Sequence, residues 1–345
     1  MNAVPDSRPG AHPAAHSPGR IPLNTLAIAF GLAGLSTSWT LAVRLLGVPV
    51  AIPDVLWIIT AIAWAWLIVA HLVRGSRTAE SLITQLKHPA QGPIAALVPV
   101  VGMLLGANLF VYWPIGGQIL VALSIVVAAL FAGWILAFWM SGQLKPEVIH
   151  GGYFLPTVAA GLVASATAAK VGFPLVATGA FAVGILFWIV ILTLLVTRMA
   201  FLPPLPDPLV PTLAIILAPP PVAGIAWFAM RGEHPDAVAT ALLGLTVLFF
   251  AMQVALLPRY MKLTFSLGFW SFTFPFAAMC TFGMQWSALG GLAGWQVVAG
   301  SLLAAATVLI GTIGIASLIL VAKGRRGARR AQRTLSTADD ALASG

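Results

Sequence analysis

Apolar residues run through this chain in ten stretches of about twenty, separated by short polar punctuation. They cover 22–43, 55–73, 91–113, 115–140, 153–169, 174–197, 210–230, 237–257, 264–286 and 295–322. A hydrocarbon layer about 30 Å thick needs roughly 20 apolar residues per helical crossing. Backbone groups must find their partners internally there, which a helix achieves within one segment. The pattern therefore predicts an all-α integral membrane protein with ten transmembrane helices. The separators carry turn residues, for example from Gly47 to Pro53, Gly75 to His88, Gly142 to Gly152 and Pro203 to Pro208. Trp39, Trp113, Trp139, Trp286 and Trp295 fall near predicted span ends, as interfacial anchors do.

Within this series the odd-numbered spans differ from the even ones. Pro99, Pro156, Pro219 (followed by Pro220 and Pro221) and Pro275 interrupt spans three, five, seven and nine. The even spans have no proline near mid-span. The first span has Gly31 and Gly34 at the corresponding depth. The repeating unit is a helical hairpin of roughly 60 residues used five times. A proline removes one helix hydrogen bond and bends the helix, a cost accepted in a membrane where water or other groups satisfy the freed carbonyl. Strict alternation predicts that the five odd helices gather round an axis and line a wet pore, with the even helices outside. Gly31, Gly34 and Ser38 suit a pore wall or close helix packing equally well.

Charge orients the array. Fifteen of the 18 Lys and Arg fall on the side that holds both tails, and only Arg44, Lys170 and Arg231 fall on the other. The excess of positive charge on cytoplasmic loops places both termini in the cytoplasm of a multi-pass plasma-membrane protein. Residues 1–20 read as a disordered tail, 21–322 as the membrane domain, and 323–345 as a basic cytoplasmic tail. The run from Lys323 to Arg333 directly follows a span, so topology and anionic lipid explain it better than nucleic acid. Charged residues make up only 8% of the chain, against about 25% in a soluble domain.

The spans contain no Asp, Glu, Lys or Arg. Ion-coupled carriers place ionisable groups within the membrane, and cation pores show acidic rings. A passage of apolar groups, hydroxyls and helix dipoles suits small anions that shed water easily. No metal cluster, phosphate loop or nucleophile motif appears, so neither an enzyme nor a cofactor site is expected. His71, His88 and His150 read as solvated or interfacial. Lys170 reads as a snorkelling anchor, and the single Cys280 as a packing residue.

Five segments in order carry a family resemblance. Gly268-Phe269-Trp270-Ser271-Phe272-Thr273-Phe274-Pro275 resembles the ninth helix of the tellurite-resistance/dicarboxylate transporter family, which includes bacterial TehA proteins and plant guard-cell slow anion channels. The segment from His150 to Pro156 resembles its fifth helix, Leu217-Ala218-Pro219 its seventh and Ala96-Leu97-Val98-Pro99 its third. Ile21-Pro22, with the run from Gly31 to Ser36, resembles the first. The resemblance implies a quasi-fivefold ring of ten helices, usually a homotrimer, with five inner helices as the pore. It also implies a phenylalanine plug, which maps onto Phe274. Family members often carry proline in the first helix, where Ala29 stands here, so the bend of that helix is open. Two functions follow as expectations: passive anion conduction, or a carrier for C4-dicarboxylate, sulfite or tellurite-type anions. A structural or receptor role leaves the alternating prolines unexplained.

Overall fold

The computed structural model describes residues 20–142, 144–291 and 293–343, with side chains as far as Lys323. Nearly all of the tail at 1–20 thus lies outside the described residues. Its last member, Arg20, donates to the carbonyls of Glu80 and Gly75.

Ten helices among the described residues are long and apolar enough to cross a membrane. They are Leu23–Leu46, Ala51–Gly75, Gly92–Leu109, Pro114–Met140, Gly151–Lys170, Pro174–Phe201, Asp207–Arg231, Ala237–Tyr260, Leu267–Leu289 and Trp295–Lys323. The tenth continues as helix to Ala343, through the segment read from sequence as a tail. An even number of crossings puts the two ends of the described chain on one side, called here the termini side.

The division into odd and even spans is physical. In the most apolar stretch of each span, 56 to 83% of residues are buried in the odd members and 11 to 22% in the even ones. The even spans are uninterrupted α-helices whose apolar side chains face outward, as lipid-facing helices do. Each odd span packs on the even span that follows it. Odd spans also touch one another: first with third, third with fifth, fifth with seventh, seventh with ninth and ninth with first.

Every odd span begins on the termini side as a tighter 3₁₀ turn. These turns are Leu23–Leu26, Gly92–Ala96, Gly151–Phe154, Asp207–Leu217 and Leu267–Phe272. The prolines sit where the winding changes. Pro99 is third in Leu97–Leu109, Pro219 opens Pro219–Arg231, and Pro275 is third in Thr273–Leu289. Pro156 is second in a π-turn, Leu155–Ala159, that precedes the α-helical Ala160–Lys170. A proline lacks the N–H that α-winding would send back four residues, so it fits the first turn of an α-segment. The first span, which lacks proline, has the shortest run before α-winding starts at Ala27.

Side-chain hydrogen bonds join the layers. Ser36 meets Thr60 at 3.2 Å, and Ser38 meets Thr281 at 2.7 Å. The indole N–H of Trp270 donates to Ser317 at 2.9 Å, and that of Trp39 donates to Thr307 at 3.1 Å. Trp39 thus bonds to a neighbouring helix as well as lying near a span end. Small polar groups of this kind hold membrane helices together where lipid removes the hydrophobic incentive.

Candidate functional site: a two-chambered interior

Two cavities lie end to end inside the molecule, and both are walled by odd spans alone. The first lies toward the termini side and spans about 720 Å³, its opening to solvent included. Asn24 and Phe30, Leu97, Val158, Thr212 and Ser271 represent its five walls. The second spans about 380 Å³, its opening included, and is walled by Gly34 and Thr37, Leu104, Ala166, Ile225, and Ala278 with Thr281. Val163, Val222 and Phe274 border both chambers, so the waist between them is apolar.

Phe274 supplies the largest group at this waist. It is buried, and its ring stacks on Phe30 with centroids 3.6 Å apart and planes 15° from parallel. The change from 3₁₀ to α winding at Thr273 sets the ring one residue before Pro275. The first span, which carries Phe30, also comes close one turn further on. A Cβ at Gly34 would stand 3.1 Å from Phe274 Cδ2 and 3.0 Å from Ala277 Cβ.

The residues singled out from sequence separate into two groups. Gly34, Pro219, Phe274 and Pro275 line a chamber. Gly31, Pro99 and Pro156 are buried but border neither chamber. Gly31 is a contact point between helices, because a Cβ there would collide with Thr273 Oγ1 and stand 2.7 Å from Thr273 Cβ. Phe30 has no sequence signature that separates it from the other phenylalanines, and its position beside Phe274 emerges only from the packing.

No residue lining either chamber is acidic, basic or a histidine. The polar side chains of the walls are hydroxyls, the Trp270 indole, whose N–H is donated to Ser317, and one amide, Asn24, whose side-chain oxygen is buried without a protein partner. Buried ionisable groups lie elsewhere. His150, read from sequence as interfacial, is fully buried just before the fifth span. Its Nδ1 accepts the Gly152 N–H at 3.1 Å. Burial pulls its pKa down to about 4, against the opposing pull of the Pro89 and Ala90 carbonyls. Arg198, counted from sequence among the loop cations, is also buried and donates to the Glu147 carbonyl at 3.2 Å. The ring of His150 is held edge-on by Tyr153, so packing rather than water is its environment. Lys170 is exposed, and Cys280 is buried.

Ten apolar crossings around an uncharged interior define a multi-pass helical membrane protein. Residues 20–318 match the family described as voltage-dependent anion channel, and the chain belongs to that family. The chain is also similar to the tellurite resistance protein TehA homolog of Haemophilus influenzae. They share 25% identity over 263 residues, covering 76% of this chain and 80% of the relative. It is similar as well to the guard cell S-type anion channel SLAC1 of Arabidopsis thaliana, at 29% identity over 139 residues, or 40% of this chain and 25% of that one. The family's work is anion transport across a membrane.

Proposed function

We propose that this protein conducts small anions passively across the cell membrane, through a pore lined by spans one, three, five, seven and nine and closed by Phe274. The observation that carries the reading is the apolar waist: two chambers with uncharged walls meet at Val163, Val222 and Phe274. An ion must shed much of its water to pass a constriction of this kind, so an aromatic ring there is a barrier without being a bond. The contacts of odd spans from first to third and onward back to first support a quasi-fivefold ring of five hairpins. The split of cationic residues supports cytoplasmic termini. Assembly as a homotrimer belongs to the same reading, each copy carrying its own pore.

The test is Phe274→Ala in reconstituted bilayers, with reversal potentials measured under anion gradients. A plug predicts a folded protein with a much larger anion conductance. A packing residue predicts no new current and a stability loss of roughly 3–5 kcal/mol. The relative named for tellurite resistance keeps a carrier in view. A carrier for dicarboxylate, sulfite or tellurite-type anions would show saturable exchange and no rise in conductance in the variant.

A further inference from the structure

The wall stripes of the second chamber lead outward to an ion pair. On the ninth span Phe274, Ala278 and Thr281 line the chamber, and Gln285 occupies the next position of the same stripe. On the first span Thr37 lines it, and Arg44 lies two turns farther on. The seventh span contributes Ile225, ends at Arg231, and is followed by Glu233. These three side chains meet. Arg44 Nη1 and Nη2 each donate to a different oxygen of Glu233 at 2.6 Å. Gln285 Nε2 donates to Glu233 Oε1 at 3.1 Å. The buried Gln285 side-chain oxygen has no protein partner.

The pair is open to water, with side-chain exposures of 53% for Arg44 and 34% for Glu233. An ion pair so exposed adds little to stability. Its electrostatic effect at this location is larger. A guanidinium beyond the second chamber attracts anions toward it, and a carboxylate joined to it by two direct hydrogen bonds cancels most of that attraction. The other acids on this side are engaged away from the ion pair. Asp236 caps the eighth span and accepts from Trp227, and Asp54 accepts from Tyr112.

We propose that Arg44 is an anion-recruiting residue at the far mouth and that Glu233 attenuates it. The two together would set how readily small anions enter from the side opposite the termini. Gln285 holds the carboxylate in place and is a positioning residue. The inference rests on the conduction reading above.

The experiment compares E233Q, R44Q and the double variant, each alone and combined with Phe274→Ala, using chloride flux from the far side into proteoliposomes. At low ionic strength E233Q should raise flux roughly fivefold, as expected for removing one opposing charge near the path. R44Q should lower it, and the double variant should return close to its parent. In about 1 M salt, where the Debye length is roughly 3 Å, the differences should disappear. An E233Q flux equal to its parent at low salt overturns the proposal. So does a double variant that keeps the E233Q increase, because Arg44 would then not be the agent. A silent Phe274→Ala counts against the plug alone, since the same comparison runs with Phe274 intact. Thermal unfolding of each variant separates lost flux from lost fold.

Discussion

Phe30 and Phe274, from the first and ninth spans, stack nearly face to face, with centroids 3.6 Å apart. Such a pair contributes roughly 0.5–1.5 kcal/mol beyond the area it buries. On the proposed plug reading, turning Phe274 out of the waist means parting it from Phe30, so Phe30 would help hold the ring in place. Phe30→Ala should raise anion conductance, by less than Phe274→Ala does. The double variant should match Phe274→Ala, since Phe30 acts only through the other ring. Single-channel recordings of the three variants check the order. Additive effects of the two substitutions would mean that Phe30 obstructs the passage independently.

Gly31 and Gly34 lie on one stripe of the first span yet should respond differently to alanine. At Gly31 the new methyl meets Thr273 itself, so spans one and nine must separate. Overpacking of this kind costs about 1–3 kcal/mol. At Gly34 the nearest groups are the Ala277 methyl and the movable Phe274 ring, at 3.0 and 3.1 Å. Gly31→Ala should lower the thermal midpoint in detergent more than Gly34→Ala. Gly34→Ala should change anion conductance with the fold intact. Equal melting shifts would show that both positions only pack.

The ten crossings and the difference between odd and even members were legible because lipid imposes them on composition. Twenty apolar residues mark a span, and a proline survives only where its missing N–H does no harm. Pro99, Pro156, Pro219 and Pro275 accordingly marked the buried helices. The change from 3₁₀ to α winding was not legible, because both windings accept the same apolar sequence. Nor was the burial of His150, since a histidine flanked by loop residues looks the same whether a neighbouring segment covers it or water does. Arg44 and Glu233 are 189 positions apart, and no local pattern links them. The Phe274 assignment came from family resemblance. Nothing in the local pattern separates Phe274 from the nearby Phe269, Phe272 and Phe276, and nothing in it points to Phe30.

His150 should make the fold sensitive to mild acid. Burial is the main cause of its lowered pKa, about 4, with nearby His88 acting in the same direction. An unfolded histidine titrates near 6.5. Between these values the unfolded chain takes up a proton that the folded one refuses, so stability falls as pH drops from about 6.5 to about 4 and levels off below. The full contribution is roughly 3 kcal/mol. His150→Asn keeps an acceptor for the Gly152 N–H while removing the titration. Melting curves between pH 4 and 7 should show a steeper acid loss in the parent than in the variant. Parallel curves would mean that His150 is hydrated or already charged in the fold.

Flux should depend on the anion gradient and the membrane potential alone. Coupling to protons or sodium needs a group within the passage that binds the driving ion in one state and releases it in another. Neither chamber contains a carboxylate, an amine or an imidazole. His150, the fully buried imidazole, lies outside both chambers. With a pKa near 4 it stays neutral throughout the physiological range, so it cannot shuttle protons there. Among the wall hydroxyls, Thr37, Thr212 and Thr281 donate to the Ala33, Leu209 and Ala277 carbonyls, and turning one toward an anion would change no charge. Proteoliposomes clamped at zero potential should therefore equilibrate chloride or nitrate and stop, whatever pH or sodium gradient is imposed. Imposing a potential should shift the end point by the amount expected for the anion's charge. Uphill accumulation driven by a proton or sodium gradient at zero potential would require a coupling site in a wall that has no ionisable group, and passive conduction would have to be abandoned for a carrier.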